Sequence, residues 1–92
     1  MIDKVTKHKR ICAELSALYE KKNHDYGDAF HLSYLEEGMA MPRIRLGDKL
    51  NRFKNLTKCQ NCIAVKDESI RDTLLDLANY AIMTILELEG EN

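Results

Sequence analysis

Ninety-two residues, 45% of them apolar and 32% charged, make one domain spanning 1–92 and leave no room for a second core. The net charge of −1 excludes a general binder of nucleic-acid polymers, which carries a clear basic excess. The longest near-apolar run, 77–88, is broken by Asn79, Thr84 and Glu87 and is too short to span a bilayer.

The opening MIDKVTKHKR is charged and does not read as a secretory signal, and three cysteines, an odd number, suit a reducing compartment. The expectation is a cytoplasmic protein. Along the chain, Val5, His8, Ile11, Cys12, Leu15, Leu18 and Tyr19 recur at three- and four-residue steps, which predicts a helix with Asp3 at its cap. The stem of Lys22 continues that stripe, yet Lys22 to Asp28 reads at least partly as turn chemistry, because Asn, Asp and Gly favour turns, with His24, Asp25 and Tyr26 in a connector that Gly27 closes. A minor helix is expected over about 28–37, ended by Gly38. Pro42 then suits a first helical turn, and Leu46, Leu50, Phe53 and Thr57 give the following helix an apolar stripe. Arg45, Lys49 and Arg52 stand beside that stripe at i, i+4 and i+7, where long cations keep their tips wet while lining a pocket.

A polar loop over about 58–66 carries Cys59 and Cys62. Zinc there would need two further ligands, and Cys12 and His8 sit near the start of another helix, so no zinc site is expected. The last helix starts near Asp67 or Ser69 and runs to about Glu89, with Gly90 as its stop. Ile70, Leu74, Leu77, Ala78, Ala81, Ile85 and Leu88 form its apolar face, and Glu68, Asp72, Asp76 and Asn79 its acidic stripe. That stripe continues into Met83 and Leu86 rather than staying polar, so it is expected to face another helix, of this chain or of a partner. Carboxylates in such a seam need a metal ion or basic partners. For Asp72 the plain alternative is a capping box with Ser69. Asp76 and Asn79 lie too far inside the helix to cap it.

Charge is unevenly spread: residues 42–58 carry six cations and one acid, and residues 67–92 carry seven acids and one cation. This pattern suits two elements attracting each other, and equally a phosphate grip opposite an acidic metal site.

Three stretches, Lys22-Asn23-His24-Asp25-Tyr26-Gly27-Asp28, Arg45-Leu46-Gly47-Asp48-Lys49-Leu50-Asn51-Arg52 and Asp67 to Ala81, resemble the nucleotide-modification-associated domain family of bacteria and phages. That family is similar in turn to the MazG-like all-α nucleoside triphosphate pyrophosphatases. The resemblance implies a usually oligomeric helical bundle whose carboxylates hold magnesium while water attacks between the α- and β-phosphates. Asp72 and Asp76 match the acidic helix of the MazG-like pattern, four residues apart where that pattern has three, and the first helix supplies Glu14.

The expected fold is therefore all-α, a bundle of three main helices and a short one, completed by oligomerisation. The expected ligand is a nucleotide, with Mg2+ on Asp72, Asp76 and Glu14. Arg45, Lys49 and Arg52 are the phosphate candidates, and Lys22, Asp25, Tyr26 and Asn79 complete the substrate site; no single residue is assigned as catalytic. A pyrophosphohydrolase is the first reading. A non-catalytic protein sequestering a nucleotide, for instance a phage factor capturing a signalling nucleotide, is the second, and a structural oligomerisation module the third.

Overall fold

The computed structural model describes residues 3–26, 28–58 and 67–90. Four helices follow one another: α1 (Lys4–Tyr26), α2 (Ala29–Glu37), α3 (Ala40–Lys58) and α4 (Asp67–Glu89), with no strand among the described residues. None of these helices is long and apolar enough to cross a membrane. The loop that carries Cys59 and Cys62 lies outside the described residues, as does Gly27.

Each described terminus has a local cause. Asp3 accepts a 2.7 Å bond from the Thr6 N–H at Oδ1, the N-cap expected from the sequence. This bond also holds the Asp3 carboxyl below its ordinary value. Asp28 precedes α2 at φ 59°, in the left-handed region that aspartate tolerates better than most side chains. Gly38 ends α2 at φ 66° and ψ −153°, and its N–H donates to the Tyr34 carbonyl at 2.8 Å. Pro42 sits in the first turn of α3, where its missing N–H costs nothing, and it is fully buried. At the far end the Gly90 N–H closes on the Glu87 carbonyl at 3.2 Å.

α3 and α4 form the main helix pair, α1 lies on α4, and α2 touches both α3 and α4. The buried apolar core consists of Leu15, Met41 and Leu75 together with Pro42, beside the buried hydroxyl of Thr73. Two sequence expectations are corrected here. His24, Asp25 and Tyr26 are not a connector but the end of α1. The apolar face expected on α4 covers the core only in part: Leu74, Ile85 and Leu88 are 42%, 52% and 61% exposed and Ala81 is exposed with them, while Ile70, Leu77 and Ala78 are half-buried. It is the stripe with Asp76, Asn79 and Met83 that turns inward.

Polar anchors explain this turn. Asp76 meets lysines from α1 and α3, Asn79 donates to the Leu15 carbonyl of α1 at 3.1 Å, and Thr73 receives the Arg52 Nε at 3.2 Å. Three such contacts on one stripe fix the helix rotation, because leaving those groups buried without partners costs more than exposing Leu and Ile side chains singly.

Candidate functional site

α1, α2, α3 and α4 enclose a groove of about 370 Å³. Its apolar wall is built around Phe30 of α2 and Tyr80 of α4, whose rings stack with centroids 5.9 Å apart and planes 24° apart, with Tyr19, Met41 and Met83 alongside. Its polar wall carries Lys22 and Asn23 from α1, Arg45 from α3, and Asp76 and Asn79 from α4. These positions follow from helix periodicity. Tyr19, Lys22 and Asn23 share one face of α1 at i, i+3 and i+4, and Asp76, Asn79, Tyr80 and Met83 share one face of α4.

The centre of the polar wall is a three-member charge bridge. Lys22 Nζ lies 3.4 Å from Asp76 Oδ1, and Lys49 Nζ lies 3.1 Å from Asp76 Oδ2. Asp76 and Lys49 are about seven-tenths covered, and Lys22 is 60% exposed. One carboxylate thus joins three helices.

The remaining sequence-predicted residues divide into those drawn to this place and those held elsewhere. Arg45 lines the groove as an exposed cation, and no contact ties it to an acid among the described residues. Arg52 is also exposed, but its Nε is committed to Thr73, which in turn donates to the Ser69 carbonyl at 2.8 Å. Asn79 uses its amide nitrogen on Leu15 while lining the groove. Asp25 stands outside, 55% exposed beside His24 at 3.5 Å. Tyr26 closes α1, and its side chain is not among those described.

Of the three expected metal ligands, Asp72 is exposed on α4. With the helix starting at Asp67, Asp72 falls in the second turn, so the capping-box reading with Ser69 does not arise. Glu14 faces Arg71 in a bidentate fork, Oε1 at 2.6 Å from NH2 and Oε2 at 2.7 Å from NH1. The guanidinium holds the Glu14 carboxyl below its ordinary value, and the carboxylate raises Arg71 in return.

Glu14 and Asp76 each carry cations of the chain itself, and the described residues gather no three His, Cys, Asp or Glu side chains into a group that could hold a metal ion. This donor set does not fit magnesium as it stands. What the arrangement can do is take up an anion through Lys22 and Arg45, with Lys49 close by on Asp76, next to an aromatic surface for a flat ring.

Sequence reasoning missed Phe30 and Met41 as groove residues and the Glu14–Arg71 fork. A short helix with no strong stripe gave no signal for Phe30, and the fork joins residues 57 apart in sequence. A second groove shares Tyr19, Asn23, Asn79 and Met83 with the first and is lined further by Leu15, Ile82 and Leu86, with His24 and Glu20. Although larger, at about 620 Å³, it has no lysine or arginine in its lining and offers no comparable anion grip.

No curated protein and no solved structure is significantly similar to the chain. A family pattern does match. It covers residues 22–88, close to three quarters of the chain, and takes in all four helices from Lys22 onward, with Lys22, Phe30, Arg45, Lys49, Asp76 and Tyr80 inside it. The chain belongs to the family described as Nucleotide modification associated domain 1.

Proposed function

We propose that the chain binds a mononucleotide in the groove between α1, α2, α3 and α4. The observation that carries this reading is the meeting of the Phe30–Tyr80 stack with Lys22 and Arg45 around one groove, to whose wall Lys49 is joined through Asp76. A base has the flat face that such rings accept, and phosphate has the charge that two ammonium groups and a guanidinium match. The groove volume lies at the low end of the range for small-molecule sites, about 300–1,000 Å³, which favours one nucleoside unit over two. Asn23 and Asn79 supply amide groups for sugar or base edges. A nucleotide ligand fits a cytoplasmic protein.

Magnesium-dependent pyrophosphohydrolysis, which kinship to the MazG-like enzymes implies, is the second reading. It is favoured by Asp72 and Asp76 standing one turn apart on the same stripe of α4. A metal ion there would compete with the chain's own cations, because Asp76 and Glu14 are matched to Lys22, Lys49 and Arg71. Assembly with further copies, proposed on the exposed apolar face of α4, leaves room for ligands from another subunit.

Calorimetric titration of nucleosides and their mono- and triphosphates, with and without magnesium, tests the binding. Chromatography of the recovered ligand tests hydrolysis. Nucleotides are expected to bind and nucleosides to bind far more weakly. Arg45→Glu is expected to cost about ten-fold or more in triphosphate affinity, since charge-assisted contacts contribute about 1.5–3 kcal/mol each, and to leave nucleosides nearly unchanged. Equal losses for nucleoside and nucleotide would remove the phosphate grip. Pyrophosphate release with magnesium selects the enzyme, and intact ligand selects the sequestering protein.

A further inference from the structure

We infer that Asp76 is an internal counter-anion, a carboxylate that holds the phosphate-binding lysines in place and that an incoming phosphate must displace. The inference rests on the nucleotide reading and names how that site is tuned. Each carboxylate oxygen of Asp76 faces a different ammonium group, 3.4 Å to Lys22 and 3.1 Å to Lys49. Asp76 and Lys22 line the groove itself, and Arg45 reaches it from α3. Asp76 and Lys22 are therefore inside the ligand's reach, and Asp76 also holds Lys49 against the groove wall, so the carboxylate occupies donors that a phosphate needs. A carboxylate has two acceptor oxygens and one charge. A terminal phosphate has three oxygens and up to two charges, so it can span Lys22, Lys49 and Arg45 together.

Asp76 keeps two like charges, carried on different helices, beside one another. Without it their repulsion would push α1 and α3 apart. When phosphate arrives, the lysines change partners rather than becoming ordered for the first time. Part of the ordering entropy is thus met beforehand, while the loss of the Asp76 contacts lowers the net affinity. The device discriminates by charge: a ligand carrying more negative charge than one carboxylate displaces it, and a neutral nucleoside does not. The partial exposure of all three groups keeps each contact weak enough to be exchanged.

The experiment measures binding of inorganic tripolyphosphate and of the four ribonucleoside triphosphates, in chelator, to the wild type, Asp76→Asn and the double variant Asp76→Asn/Lys49→Gln. Folding of each variant is followed by circular dichroism. Removing the competing charge is expected to tighten tripolyphosphate and nucleoside triphosphates by about ten-fold, and the double variant to return to wild-type affinity or below. Affinity in Asp76→Asn that falls, or stays within about two-fold of the wild type, overturns the inference. So does a double variant that keeps the whole gain, or an Asp76→Asn chain that no longer folds, which would make the bridge a brace only.

The nucleotide reading fails separately. If tripolyphosphate tightens as expected but no nucleotide binds better than tripolyphosphate, the counter-anion stands and the base site falls. If nucleotides bind the wild type and Asp76→Asn weakens them, the base site stands and the counter-anion falls.

Discussion

Glu14 and Arg71 show how one residue's chemistry can be redirected by a partner far along the chain. The sequence offers Glu14 as a carboxylate on the first helix and nothing more, because a contact across 57 positions leaves no periodic trace. In the folded chain its two oxygens are taken by one guanidinium, whose planar fork matches a carboxylate in two parallel bonds. The pairing lowers the Glu14 pKa below the ordinary 4.5, so the folded form binds its proton less readily than the unfolded form. The stabilisation is then fully present above about pH 4.5 and is lost as pH falls through the depressed folded value. Glu14→Gln removes it. Thermal melting of wild type and Glu14→Gln should differ at pH 7 and converge as pH falls through the depressed folded value, with a small difference, because both side chains are well exposed to water. A gap that persists unchanged into acid would assign the loss to packing rather than charge.

At the scale of the elements, the legible features were those with local causes. Asp3, Gly38, Pro42 and Gly90 each bring their own geometry, and each helix begins or ends where that geometry requires. Gly38 gives the strictest test. Its φ of 66° and ψ of −153° fall in a region open almost only to glycine, while a Cβ there would meet no atom within 4 Å. Gly38→Ala is therefore expected to destabilise by about 1–3 kcal/mol through backbone strain alone, measured as a shift in the denaturant midpoint with unchanged slope. A neutral result would mean that the α2–α3 corner has another accessible conformation.

Non-local causes were not legible. Asn23, His24 and Asp25 favour turns in isolation, yet they continue α1 because Lys22 and Asn23 are held in the groove against α4 and Tyr19 is carried on the same face. The basic stripe of α3 and the acidic stripe of α4 were readable as partners, and Lys49 with Asp76 and Arg52 with Thr73 realise that facing. Periodicity names the residues that share a face of a helix. It does not say which face meets the rest of the same chain.

That ambiguity becomes a prediction for the whole molecule. The accessible surface is 7405 Å², where surface–mass scaling gives about 5,500 Å² for a compact monomer of this mass. The radius of gyration, 15.2 Å, likewise exceeds the roughly 12 Å of a compact chain of this length. Part of the exposed apolar surface forms one row: Leu74, Ala81, Ile85 and Leu88 of α4 are exposed at helical spacing, with Ile82 and Leu86 beside them. A second copy laying its own α4 against this row buries the same patch from both sides, as a two-fold interface requires. The expected outcome is a dimer or larger assembly by sedimentation at micromolar concentration, with a melting temperature that rises with protein concentration. Ile85→Glu separates this from a monomer with a merely apolar surface. On a free monomer a substitution at a side chain 52% exposed changes stability by no more than about 0.5 kcal/mol. At the centre of a two-fold contact it brings two carboxylates together out of water. Assembly should then be lost and melting become independent of concentration, while the Lys22–Asp76–Lys49 bridge on the opposite side of α4 stays in place. A wild type that sediments as a folded monomer, with melting indifferent to concentration and to Ile85→Glu, would leave the apolar face of α4 as open surface.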